Sequence, residues 1–286
     1  MKKIGIIGLG LIGTSLGLAL AKYTDYDIYG YDIESRHLKY NLEKNIIDSS
    51  LDNEDIKYMD IIFIAVPVCS IIPVIREINP YINKCKTIIT DMGSTKKYIL
   101  DKISSNYSNI KFIGGHPMAG KEVSGPQSAS ADLFKNKSYI LIKNIKLKKE
   151  IKNLKNLLLK IGANINIMDS ETHDCLVAMT SHLPQITASA LIEQLRKNEQ
   201  KNPSISQVIG TGFLDMTRIA ASNPEMWLDI FTTNKSNIVN QIEEFIDILQ
   251  YFRDNILEEN QEVLNRIMKI TEDKRITLKK TLEKGE

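Results

Sequence analysis

The chain has 286 residues, 43% apolar and 25% charged, enough to bury a sizeable core in two domains or one large one. Its formal charge of +2 comes from basic residues scattered among Asn and Glu, without the stripe a nucleic-acid backbone needs, so no nucleic-acid partner is expected. Cys69, Cys85 and Cys175 have neither paired nor metal-like spacing; they fit a reducing cytoplasm and read as buried small apolar residues, and no metal is expected.

An apolar run, Ile4-Gly5-Ile6-Ile7, leads into Gly8-Leu9-Gly10-Leu11-Ile12-Gly13, and a helical apolar pattern follows through Leu16, Leu20 and Ala21. A strand, tight turn and helix with this glycine spacing can hold a dinucleotide pyrophosphate. Gly8 permits the turn, Gly10 lets backbone approach the phosphates, and Gly13 lets helix and strand pack closely. The phosphates would meet the unpaired N–H groups at the positive end of the helix, around Leu11 and Ile12. Asp32 closes a second strand-like run, 27–31; a carboxylate there suits the ribose diol of NAD and repels the extra phosphate of NADP, while Arg36 nearby leaves room for limited NADP use. Two lysines before an apolar run also resemble a secretory signal or short membrane span, but the glycines and the strand-then-acid sequel favour the cofactor turn. Beyond this segment no apolar stretch of membrane length is read, so no membrane partner is expected.

A polar helix is predicted over 35–44. Residues 60–67 form a compact apolar run ending in Val66-Pro67, the form of a buried parallel strand, with a helix over 70–78. A strand over 87–92 reaches Gly93-Ser94-Thr95-Lys96, which turns the chain into another helix, and 111–115 is a short strand ending at His116-Pro117. This alternation predicts an α/β fold with a doubly wound (Rossmann) parallel sheet, in which ligands bind beyond the carboxyl ends of the strands. Asp32, Pro67, Ser94 and His116 are therefore expected to crowd one crevice, with Val66 beside Pro67 on its cofactor side.

Residues 137–168 read as strand, lysine-rich helix and strand. Ser170-Glu171-Thr172 then supplies capping residues, and the remainder is helical. The expected division is a dinucleotide-binding domain over 1–168 and an all-helical substrate and dimerisation domain over 169–286, packed together without a linker. Ile238, Ile242, Phe245, Leu249, Phe252 and Ile256 alternate four and three apart in a narrow helical seam. Core packing and a subunit interface both fit it; a small helical domain often completes its burial by pairing, so a homodimer through the C-terminal helices is expected.

There are four histidines. His37 follows Asp32 in a polar helix and reads as solvated, near where an adenosine ribose would lie. His173 begins the first long helix, where a structural role is as good as any other. His116, between a double glycine and a proline, lies in a loop where backbone and ligand can approach closely, and an imidazole there suits acid–base work. His182 lies in Thr180-Ser181-His182-Leu183-Pro184-Gln185, where proline interrupts a helix; these polar groups either satisfy freed backbone or line a cleft. Asp215 and Arg218, three apart, form either a surface ion pair or, with the guanidinium turned inward, a carboxylate clamp.

The ordered set GLGLIGTSLGLAL, DMGSTK at 91–96, GGHPMAGKEVSGP at 114–126, TSHLPQ at 180–185, and GTGFLDMTRIA followed by Trp227 resembles the prephenate/arogenate dehydrogenases of tyrosine biosynthesis over nearly the whole chain. The resemblance implies oxidation of a ring carbinol by NAD(P)+, with loss of the ring carboxylate and aromatisation. It gives His116 the role of accepting the hydroxyl proton and Ser94 that of orienting hydroxyl and imidazole. Arg218 would bind a substrate carboxylate, Glu122 would pair with that arginine at the cleft mouth, and Ser181 and His182 would face the substrate. Many prephenate-using members carry histidine where this chain has Gln185, which leaves the choice between the keto acid prephenate and the ammonium-bearing arogenate open. Rival readings are a β-hydroxyacid or imine reductase on the same plan, for which the GGHPMAG loop is wrong, and a non-catalytic NAD-binding regulator.

Overall fold

Runs of isoleucine form the frame. In the computed structural model, which describes residues 2–120 and 123–283, six parallel strands make one sheet: β1 (Lys3–Ile7), β2 (Asp27–Tyr31), β3 (Ser49–Ser50), β4 (Ile61–Ile64), β5 (Ile88–Asp91) and β6 (Lys111–Ile113), in the order β3-β2-β1-β4-β5-β6. The helices between them are α1 (Leu11–Tyr23), α2 (Ser35–Glu43), the single turn α3 (Asn53–Ile56), α4 (Ile71–Ile78) and α5 (Lys97–Asn106). Side chains alternate across the pleat: Ile4, Ile6, Ile61 and Phe63 join Leu16 and Leu20 of α1 in one core, while Ile7, Ile62, Ile64 and Ile89 join Ile71, Ile75, Ile99 and Ile103 of α4 and α5 in another. With both faces covered, β4 and β5 are buried at every residue, the pattern of a central parallel strand. The doubly wound expectation holds. The strand order reverses between β1 and β4, which opens a crevice at their carboxyl ends.

The expected single strand over 111–115 is instead two. After Ile113 the chain leaves the parallel sheet, and β7 (Gly115–Pro117) pairs antiparallel with β8 (Ser138–Ile142), which runs parallel to β9 (Asn164–Met168) beyond α6 (Lys148–Lys160). His116 is thus a strand residue, opposite Ile140, rather than a loop residue. Gly115 makes the crossing because a Cβ there would lie 2.6 Å from the carbonyl oxygen of Asp91. The junction is tied by a fully buried ion pair, Lys96 to Asp91. The Lys96 ammonium also donates to the Gly115 carbonyl at 2.8 Å, and Asp91 accepts from the Gly115 N–H at 3.1 Å and the Gly93 N–H at 2.9 Å.

After β9, Asp169 rather than Ser170 caps α7 (Ser170–Val177), accepting from the Thr172 N–H at 2.8 Å. A π-helical turn, Ala178–His182, leads into α8 (Leu183–Glu199). Pro184 falls in the first turn of α8, so the interruption expected there is a widened turn and not a break. The continuous stretch Ser170–Glu199 is consequently long and apolar enough to cross a membrane by length and composition alone, which the sequence reading missed by splitting it at the proline. Its His173, Asp174 and His182 are buried and partnered inside the protein. Helices α9 (Thr211–Thr217) and α10 (Pro224–Thr233) follow, then α11 (Lys235–Leu257) and α12 (Gln261–Glu283).

Met1–Lys235 and Ser236–Glu286 form two compact units. In the second, the seam on α11 is half-buried at Ile242, Phe245 and Phe252 but exposed at Leu249 and Ile256, and α12 exposes Met268, Ile270, Ile276 and Leu278.

Removing one member of a buried pair strands the other charge. Lys96→Met is expected to destabilise the fold by about 3–5 kcal/mol, read as a lowered urea midpoint at neutral pH. A loss below about 1 kcal/mol would mean that Lys96 is not what holds the junction.

Candidate active site

The crevice at the β1–β4 switch point is a cleft of about 1100 Å³. One end is walled by Gly10, Leu11 and Ile12 of the first turn, by Arg36 and His37, and by Val66-Pro67; the other by Ser94, His116, Ser181, His182 and Trp227. The first end has the features a dinucleotide requires. Gly8 adopts φ +96°, which only glycine takes readily, and a side chain on Gly13 would collide with the Gly8 carbonyl, while one on Gly10 would meet nothing within 4 Å. Gly8 and Gly13 therefore shape the turn from beneath, and Gly10 leaves open ground above it. The N-terminus of α1 has no side-chain cap, so its first N–H groups are available to an anion. Asp32 is held at the end of β2 by the Leu9 N–H at 2.6 Å and the Glu34 N–H at 2.8 Å. His37, expected in solvent, instead lies 3.4 Å from Asp32 on the cleft wall, and Arg36 pairs with Glu34 at 3.3 Å.

At the other end His116 is buried apart from its edge on the cleft. Its Nδ1 lies 2.8 Å from Nε2 of His173, whose Nδ1 lies 2.7 Å from Oδ1 of Asp174. The Asp174 carboxylate reaches across from α7 to cap α5, accepting from the Lys96 N–H at 2.8 Å and the Lys97 N–H at 2.9 Å. Burial pushes the His116 imidazole well below its usual pKa, and the nearby His173, Lys96 and His182 push the same way. Asn234 donates to the Asp174 carbonyl at 2.8 Å and approaches Nδ1 of His182 at 3.3 Å. An amide N–H against Nδ1 makes that nitrogen the acceptor and leaves Nε2 of His182 as the donor. Burial lowers His182 to a pKa of about 4, so both imidazoles are neutral at physiological pH. Trp227 stacks edge-on against His182, and its indole N–H is buried without an acceptor among the described residues.

Of the substrate-side expectations, Ser94, His116, Ser181 and His182 share the cleft wall. Gln185 does not; it is buried at 4% exposure with its carbonyl oxygen unpartnered. Arg218 is exposed at the head of a turn, Arg218–Ala221, whose last residue does line the cleft. Glu122 lies outside the described residues. From sequence His173 was given no more than a structural role, and Asp174, Lys96 and Asn234 were given none. The available signal was a His-Asp pair near the start of α7, four residues before the apolar Val177 and Ala178.

Fold and cleft together define an α/β nucleotide-binding protein with a neutral imidazole at the far end of the cofactor crevice, the class of nucleotide-dependent dehydrogenases. Residues 16–167 match the prephenate dehydrogenase nucleotide-binding domain and residues 169–270 the prephenate dehydrogenase dimerization domain. The chain is 35% identical to the prephenate dehydrogenase of Bacillus subtilis over 275 residues, 94% of this chain and 74% of that one. The Aquifex aeolicus prephenate dehydrogenase, solved with hydroxyphenyl propionate and NAD+, superposes with a TM-score of 0.89 at 30% identity, covering 97% of this chain and 98% of that one. Synechocystis arogenate dehydrogenase superposes with a TM-score of 0.83 at 28% identity over 96% and 98%. The chain belongs to the prephenate dehydrogenase family.

The lowered pKa of His182 has a consequence for stability. Between its unfolded value of about 6.5 and its folded value of about 4, the unfolded chain binds a proton the native state refuses, so stability falls as pH falls. From pH 7 to pH 5 this one group removes about 2 kcal/mol, with His116 acting in the same direction. Urea midpoints measured across that range should drop towards acid, and His182→Gln should flatten the dependence. An equal slope in the variant would exclude His182 as a source.

Proposed function

We propose that this chain is an NAD-dependent dehydrogenase that oxidatively decarboxylates prephenate to 4-hydroxyphenylpyruvate in tyrosine biosynthesis, with arogenate, which would give tyrosine directly, as the alternative substrate. The observation that carries this reading is the cleft itself: a glycine turn suited to a dinucleotide at one end, and at the other an imidazole whose inner nitrogen is already engaged. Leu11 and Ile12 at the uncapped helix end would hold the pyrophosphate, Asp32 the ribose, and Val66-Pro67 the cofactor's flank. NAD+, when bound there, supplies the hydride acceptor.

The chain's own groups then handle one proton and one or two carboxylates. The hydroxyl on the ring carbinol donates to Nε2 of His116, with Ser94 beside it fixing the direction, and its proton passes to the imidazole as the carbinol carbon is oxidised. When carbon dioxide leaves and the ring becomes aromatic, the oxygen takes that proton back as a phenol, so none is consumed. The neutral Nε2–H of His182, Ser181 and the orphan Trp227 N–H are donors suited to an anionic substrate. Arg218 is the cation proposed for a substrate carboxylate, with Glu122 its counter-charge, and Gln185 supports the wall from behind.

We assign residues 1–168 to dinucleotide binding and 169–286 to the substrate side and dimerisation. The matched dimerization domain and the exposed apolar residues of α11 and α12 support a homodimer through the C-terminal helices. Cys85 and Cys175 are exposed and Cys69 half-buried, against the burial expected of them; three free thiols support a cytoplasmic location.

The test is initial-rate NADH or NADPH formation with each cofactor against prephenate and arogenate. Reduction of NAD+ with prephenate is expected; reduction with arogenate alone would change the substrate, and no reduction in any combination would overturn the reading. His116→Asn should lower kcat by about 10³-fold while NAD+ binding, followed by fluorescence, stays within twofold. A fully active variant would remove His116 as the base.

A further inference from the structure

We infer that His173 and Asp174 form a positioning pair for His116, fixing which ring nitrogen carries its proton and taking over positive charge during turnover. This rests on the reading of His116 as proton acceptor.

The assignment follows from a single end of the network. Asp174 is an acceptor only, and its two oxygens already receive the backbone N–H groups of Lys96 and Lys97. The His173 nitrogen 2.7 Å from Oδ1 must therefore be a donor, so His173 is protonated at Nδ1. With the His173 imidazole neutral its Nε2 is bare, and the proton in the 2.8 Å contact with His116 sits on Nδ1 of His116. That leaves Nε2 of His116 as a lone pair at the cleft, the form a base requires. With the opposite tautomer His116 would present an N–H to the substrate hydroxyl and could not accept its proton.

The other charged and titratable groups around the pair are consistent with this direction. The Lys96 ammonium is turned away onto Asp91 and the Gly115 carbonyl, and His182 is held by Asn234, so neither competes for Nδ1 of His116. His173 is fully buried and Asp174 nearly so; water cannot substitute for either partner. When Nε2 of His116 takes the substrate proton, its Nδ1 proton crosses to Nε2 of His173. His173 keeps its own Nδ1 proton on Asp174, and the positive charge then lies against a carboxylate instead of beside Lys96. Return of the proton to the phenolate oxygen reverses both transfers, which leaves the pair as it began.

Four histidines make the tautomers directly readable by nitrogen NMR of the full-length protein labelled with ¹⁵N-histidine, with NAD+ bound. The wild type should show His116, assigned by its loss in His116→Asn, protonated at Nδ1 and bare at Nε2. His173→Leu should admit the Nε2–H form of His116 and lower kcat by about 100-fold, with NAD+ affinity and substrate KM within threefold. His173→Gln can still donate to Asp174 and accept from His116, so it should keep the tautomer and recover about a tenth of wild-type kcat, since an amide cannot take the charge. A wild-type His116 protonated at Nε2 would overturn the inference without any variant, and so would wild-type kcat in either His173 variant. Inactivity of the wild type with every substrate and cofactor would instead sink the dehydrogenase reading, while the nitrogen spectrum would still decide the tautomer.

Discussion

The Lys96 ammonium sits where a parallel sheet, a second small sheet and a helix start all meet. It is fully buried, so its charge costs desolvation that only close partners offset. Asp91 and the Gly115 carbonyl supply them, and in doing so pin the end of β5 to the start of β7. The backbone N–H of the same residue goes the other way, to Asp174. One lysine thereby ties β5, β7 and α7 together. The next residue after Gly115 is His116, so the imidazole proposed as the base takes its position from this junction.

Much of this architecture was legible in the chain because its signals are local. The glycine turn, the isoleucine runs and Asp32 each declare themselves within a few residues, and the doubly wound sheet follows from their alternation. Gly114-Gly115 was readable as a place of close approach, but not as a change of sheet: 111–115 has the apolar pattern of one strand, and only the contact of Gly115 with Asp91, 24 residues away, separates β6 from β7. His173 was given only a structural reading, and Lys96 only a place in a turn, for the same reason. A histidine at a helix start and a lysine in a turn look solvated unless one knows what packs over them, and their partners come from segments 57 and 78 residues distant.

The helical side of the cleft followed a different rule. Pro184 correctly marked an irregularity, yet the irregularity is a widened turn that begins six residues earlier, at Ala178, and carries Ser181 and His182 to the cleft wall. One side chain serves two polar groups near this turn: Asn234 reaches both the Asp174 carbonyl and His182. Gln185, one turn on, is buried and does not line the cleft, so the family contact expected at that position is not made directly on the wall.

The strand origin of His116 has an implication for how such a protein can change. The proposed proton acceptor belongs to a strand whose backbone is tied at Gly115 to both Asp91 and Lys96, whereas Ser181, His182 and Trp227 are presented by helices and an irregular turn. On the proposed function, replacements among the latter would alter which ring acid is admitted without moving the imidazole. On that reading, substrate range and reaction type belong to separate pieces of structure, and a lineage could drift in the first while the second stays fixed.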